Sequence, residues 1–78
     1  MTIQEEFETR HFSDILKEDL EEFLKKKEEY IKNKSIDNSV AMKSAYEYVY
    51  TGIKSAWVSR KITEKDFWHL VDRLQEGL

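Results

Sequence analysis

Residues 37–60, DNSVAMKSAYEYVYTGIKSAWVSR, decide the fold. On a helical wheel of about 100° per residue, Met42, Ala45, Tyr46, Val49, Tyr50, Ile53, Ala56 and Trp57 share one broad apolar arc. One flank of that arc carries Ala41, Ala45, Gly52 and Ala56, which have almost no side chain. The other flank carries Tyr46, Tyr50 and Trp57, which are among the bulkiest side chains available. A helix that is smooth on one edge and ridged on the other seats two neighbours at different distances. This segment is therefore expected at the centre of a small helical bundle, between two partners.

The flanking sequence supplies those partners. N-terminal to the central segment, Asn33–Ser39 is rich in Asn, Ser and Asp, side chains that divert backbone hydrogen bonds into turns. Before it, residues 13–33 read as a helix with Ser13 as N-cap and a stripe of Leu16, Leu20, Phe23, Leu24, Tyr30 and Ile31. Asp37 or Ser39 is expected to cap the central helix, and Arg60 and Lys61 complement its negative pole. C-terminal to it, Thr63 reads as the next N-cap, with Asp66 at N3 and an Ile62–Phe67 hydrophobic staple. Phe67, Leu70, Val71, Leu74 and Leu78 form the stripe of that helix, and Gly77 is a reasonable terminator.

Residues 2–10 start with Thr2-Ile3-Gln4-Glu5, which is capping-box spacing. Ile3 and Phe7 share a face, but continued into the next helix they would fall roughly 140–160° from its stripe. A chain break near Phe12-Ser13 is expected. The fold class that follows is all-α: a three-helix up-down-up bundle of residues 13–33, 37–60 and 63–77. The N-terminal helical segment 2–10 would lie across one end as a lid. No repeat, linker or low-complexity tract divides the chain, so 1–78 reads as one domain.

Composition narrows the function. With 78 residues and no cysteine, stability must come from helix packing or from a second copy of the chain. The absence of proline and the presence of only two glycines favour helices. A net charge of −3 is the wrong sign for generic nucleic-acid affinity. No apolar run is long enough to span a membrane, and the Glu-rich start is unlike a signal peptide, so a cytoplasmic protein is expected. Lysine predominates over arginine, which points weakly to a bacterial or phage origin.

Catalysis finds no support in the motifs: there is no cysteine nucleophile, Gly-rich phosphate loop or Gly-x-Ser-x-Gly elbow. His11 and His69 lack metal-ligand spacing, so neither a metal nor another cofactor is expected. His69 falls opposite its core stripe, near Lys65, Asp72 and Arg73, as a solvated histidine would. Glu5, Glu6 and Glu8, like Glu18, Asp19, Glu21 and Glu22, read as a solvated face paired with lysines. Lys27 falls inside the apolar stripe of its helix, where its stem covers the core and its ammonium emerges at the bundle end. A helix-turn-helix reading of Arg60-Lys61-Ile62-Thr63 is disfavoured because the next turns present Glu64 and Asp66, whose carboxylates phosphates repel, beside Lys65 and His69.

Aromatic residues are the remaining signal. Trp68 and Tyr48 lie on helix flanks, and large aromatics there bury area at low entropic cost when a partner docks. The expected function is non-catalytic protein–protein interaction, as an accessory, adaptor or inhibitor. Trp68, Tyr48, Tyr50, Ile3 and Phe7 are the candidate partner-binding residues. The partner would be another protein or a second copy, close backbone approach along Ala45, Gly52 and Ala56 serving either the monomer or a dimer. A structural homodimer and a helix-turn-helix nucleic-acid module are the alternatives. Bundle-type bacteriocin immunity proteins and secreted helical hairpins resemble the chain in size and helicity alone. The Trp-x-Gly turn of the hairpins is absent, since Trp57 precedes Val58-Ser59 and Trp68 precedes His69-Leu70.

Overall fold

Each helix begins where a hydroxyl side chain can satisfy its first free amides. In the computed structural model, which describes residues 1–78, four helices follow one another: α1 (Ile3–Thr9), α2 (Asp14–Lys32), α3 (Ile36–Val58) and α4 (Glu64–Leu74). Thr2, Ser13, Ser35 and Thr63 are the N-caps, and each side chain accepts a hydrogen bond from the amide three residues on. At α1 the capping box is complete, because the Thr2 amide also donates to Glu5 Oε1 at 2.9 Å. The α3 cap is Ser35, two residues earlier than Asp37. Asn38 explains the shift: its amide bonds Ser35 Oγ at 3.1 Å and its side chain donates to the Asn33 carbonyl at 2.9 Å. Asp37 then occupies the first turn, where its negative charge complements the positive end of the helix dipole.

Two helices end in the same unusual way. After α1, the His11 amide donates to Glu8 O and the Phe12 amide to Phe7 O. After α3, the Arg60 amide donates to Trp57 O and the Lys61 amide to Ala56 O. Both are Schellman turns, which place one residue in the left-handed region. Here those residues are His11 at φ 56° and Arg60 at φ 64°. The α1 turn carries the usual apolar clasp, Phe12 packing edge-on against Phe7 with ring centroids 5.0 Å apart. Lys61 Nζ donates to the His11 carbonyl at 3.0 Å, so the two turns meet at one end of the molecule. The break expected near Phe12-Ser13 is thus at His11, and α3 ends at Val58 with Arg60 turned into the left-handed region.

Contacts along the helices establish direction. Leu16 lies against Gly52, Phe23 against Tyr46, and the Glu29 carbonyl beside Asn38, so α2 and α3 are antiparallel. Trp57 stacks near Phe67 while Tyr46 reaches Gln75, so α4 runs back along α3. The up-down-up order of the three longer helices is as the apolar phases predict. The N-terminal helix differs from the expected lid. It lies lengthwise against α4, with Arg10 at Asp66, Glu6 at His69, and the Met1 carbonyl at Arg73. It also meets α2, where Lys17 Nζ bonds Glu8 at 3.0 Å.

This placement makes α1 part of the core. Ile3 and Phe7 are buried with Leu20, Phe23, Val49, Ile53, Phe67, Leu70 and Leu74 in one continuous cluster. Gly52 makes room for Leu16 of α2: a Cβ there would sit 2.4 Å from Leu16 Cδ1. The small-residue edge, with Ala45 and Ala56 buried, is therefore consumed inside the monomer. Lys27 behaves as its position predicts, with its ammonium 6.0 Å above the Phe23 ring and donating to the Leu74 carbonyl at 3.1 Å.

Candidate functional site

Phe67 is fully buried, and three partly exposed rings surround it. Tyr50 meets it edge-on at 5.5 Å, Trp57 lies tilted at 4.9 Å, and Trp68 meets it edge-on at 5.0 Å between centroids. The chain of rings continues from Tyr50 to Tyr46 and on to Phe23 in α2. Such edge-on and tilted contacts satisfy the ring quadrupoles and hold the cluster in one geometry. The site is built by two helices: Tyr46, Tyr50 and Trp57 recur at spacings of four and seven residues on α3, and Phe67-Trp68 lie in the first turns of α4 after its N-cap. Trp68 remains 48 % exposed, while Tyr46, Tyr50 and Trp57 are half-buried.

Polar groups edge this aromatic face. Lys54 Nζ lies 5.9 Å above the Tyr50 ring. The Tyr46 hydroxyl accepts a hydrogen bond from Gln75 Nε2 at 3.4 Å. Burial raises the Tyr46 pKa above the usual phenol value, partly offset by that hydrogen bond. One turn to either side of Trp68 are the exposed Glu64, Lys65 and Asp72. The result is an apolar centre with a charged rim.

The five candidate anchors separate into three environments. Trp68 and Tyr50 come together around Phe67. Tyr48, 67 % exposed, faces the opposite flank of α3, over a depression of about 510 Å³ lined by Ser44, Glu47, Thr51 and Gly52. Ile3 and Phe7 are core residues and leave the set of surface anchors. They were candidates only through the apparent mismatch of their phase with α2, which the left-handed turn at His11 resolves by reversing the chain.

A second cluster was not legible in the sequence. Glu6 is 5 % exposed, although its place in a Glu-rich run suggests a solvated face. Its carboxylate lies 2.5 Å from His69 Nε2 and accepts from Arg73 Nη1, with Arg10 Nη1 at 3.5 Å. The Arg10 guanidinium also reaches Asp66, and Arg73 also reaches the Met1 carbonyl. This network fastens α1 to α4, and it brings His69, exposed as its position predicts, within hydrogen-bond distance of Glu6. The Glu6–Arg10 spacing of four was the one visible hint. No group of three or more His, Asp or Glu side chains is arranged to hold a metal ion. No helix is long and apolar enough to cross a membrane.

Scans against protein-family models, curated proteins and solved structures each returned no match. The fold and faces described above therefore stand on their own geometry.

Proposed function

We propose that this chain is a small non-catalytic recognition protein of the cytoplasm that binds another protein through the aromatic face shared by α3 and α4. The observation that carries this reading is the exposure of Trp68 on top of a fully buried Phe67. A tryptophan held rigidly by packed rings beneath it loses little entropy on binding, and such pre-ordered aromatics dominate interface energetics. Tyr50 and Trp57 extend the apolar centre, while Lys54, Glu64 and Lys65 supply the polar rim typical of non-obligate interfaces. An adaptor or inhibitor role suits a surface of this size.

The test is differential capture. Tagged wild type and Trp68→Ala are incubated with lysate of the source cell, and retained proteins are compared by mass spectrometry. A partner held by wild type and lost by the variant, with the variant's circular dichroism unchanged, is the expected result. Equal retention of every protein by both chains would remove Trp68 as the anchor and the reading with it.

A further inference from the structure

The aromatic groove between α3 and α4 is bordered by charges that nothing in the monomer neutralises. On the α3 bank Lys43 and Lys54, both exposed, fall within about 40° of Tyr50 on the helical wheel. On the α4 bank Glu64 and Asp72, also exposed, stand one turn before and one turn after Trp68. None of the four belongs to an intramolecular ion pair. Glu47 and Lys65, opposite in sign to their banks, lie farther round their helices, about 60° from Tyr50 and Trp68. The groove is therefore basic along α3 and acidic along α4, with rings between. We propose, resting on the reading of this face as the recognition surface, that its occupant is an amphipathic helix of another protein. The apolar stripe of that helix carries acids along one flank and bases along the other.

The other side of α4 already holds a helix of this chemistry. There α1 lies lengthwise with Ile3 and Phe7 in the core. Beside that apolar pair, Glu6 meets Arg73 and His69, and Arg10 lies 3.4 Å from Asp66. One acid and one base flanking an apolar stripe are thus what the α1 side of α4 accepts. The α3 side offers the same ingredients unsatisfied: an apolar floor of rings and a rim of unpaired charges of both signs. Amphipathic helices seat in such grooves through anchors at i, i+3, i+4 and i+7, with their charged flanks against the rim.

Dimensions agree with a helix of modest length. Lys43 and Lys54 are about 16 Å apart along α3, and Glu64 and Asp72 about 12 Å apart along α4, so three to four turns reach all of them. Two hollows beside the rings have room for large apolar side chains. One, of about 550 Å³, is lined by Trp57, Arg60 and Glu64 among others. The other, of about 450 Å³, is lined by Tyr50, Thr51, Lys54, Ser55 and Val58. A single helix buries less than a standard interface, so affinity on the order of 10–100 µM is expected. A nucleic acid suits the groove less well, because a polyanion attracted to the α3 bank is repelled by the α4 bank.

Trp57 and Trp68 are the only tryptophans and both lie at this groove, so intrinsic emission provides the test. Three tryptophan-free model helices share one leucine stripe and differ in their flanks: acid and base, all acid, or all base. Wild type should bind the acid-and-base helix about tenfold more tightly than either of the others. Lys43→Glu with Lys54→Glu should turn the preference to the all-base helix. Glu64→Lys with Asp72→Lys should turn it to the all-acid helix. Circular dichroism of both variants should match wild type, because the four residues are exposed. An unchanged order of preference, with Trp68→Ala still weakening binding, would overturn the proposal and leave the recognition face standing. Wild-type affinity in Trp68→Ala would overturn both. No emission change with any helix up to about 1 mM would overturn the proposal, while the capture experiment judges the face on its own. A larger change with oligothymidine would give the groove to nucleic acid, and a change with protein concentration alone to a second copy; either overturns the proposal.

Discussion

Replacing Gly52 by alanine sets two opposing effects against each other where α3 packs under Leu16 of α2. Alanine is favoured over glycine in a helix interior by about 1 kcal/mol. Against that, the new Cβ would lie 2.4 Å from Leu16 Cδ1 and 3.3 Å from both Cδ2 and Cγ. Carbon atoms rest at about 3.5–4.0 Å, so Leu16 must retreat by roughly 1 Å. Rotating the methyl groups does not suffice, because Cγ itself is too near, and Leu16 is buried against its neighbours. Overpacking of this kind costs about 1–3 kcal/mol, so Gly52→Ala should destabilise by about 1 kcal/mol net. Leu16→Ala alone should cost about 2–4 kcal/mol through lost burial and the cavity left behind. In that background the clash is gone, and Gly52→Ala should become stabilising by about 1 kcal/mol. The coupling in the double-mutant cycle is then about 2 kcal/mol. Urea melts followed by helical circular dichroism measure all four proteins, whose total stability of about 4–12 kcal/mol leaves the range accessible. Additive effects, or a stabilising Gly52→Ala in the wild-type background, would show that α2 and α3 do not meet at this point.

Three further outcomes follow from the same structure. Phe7→Ala removes a fully buried ring and should cost about 3–5 kcal/mol in urea melts; a loss below about 1 kcal/mol would return α1 to the status of a loose appendage. Arg60→Gly relieves a left-handed non-glycine residue and should raise stability by about 0.5–1 kcal/mol in thermal melts, with His11→Gly behaving alike, while a decrease would place unrecognised contacts on those side chains. For Asp66, burial pushes the carboxyl pKa upward, but hydrogen bonds from Thr63 and Arg10 outweigh it and hold the group below the ordinary value. A carboxylate depressed in the folded state contributes stability above its unfolded pKa and loses it as pH falls through the folded value. Acid titration of wild type against Asp66→Asn should therefore show a difference near neutrality that shrinks below about pH 4, and a constant difference would argue that Asp66 acts through packing alone.

The partly exposed aromatics show how far sequence reasoning reached. Trp68, Tyr48 and Tyr50 were identifiable because helical periodicity assigns each residue to a face or flank within its own helix. Their grouping was not, because it depends on which helix lies alongside. Tyr50 and Trp68 share the buried Phe67, whereas Tyr48, two residues from Tyr50, looks the opposite way. Ile3 and Phe7 were misplaced for the same reason: an apolar pair on a short helix has no address until the turn after it is known.

Local chemistry is what the sequence determined by itself. Capping at Thr2, Ser13 and Thr63 joins groups three residues apart, and the apolar stripes of α2 and α4 repeat within each helix, so both are written in neighbouring residues. Tertiary structure decided whatever joins distant parts of the chain. It set Glu6 against His69 and Arg73, more than sixty residues away, turning a member of an acidic run into a buried clasp. It spent the small-residue edge of α3 on Leu16, packing Gly52 beneath a side chain thirty-six residues away. The physical reason is one of range: a capping bond or a helical stripe closes within a few residues of chain. A buried carboxylate or a close helix crossing exists only once four helices have fixed one another's positions.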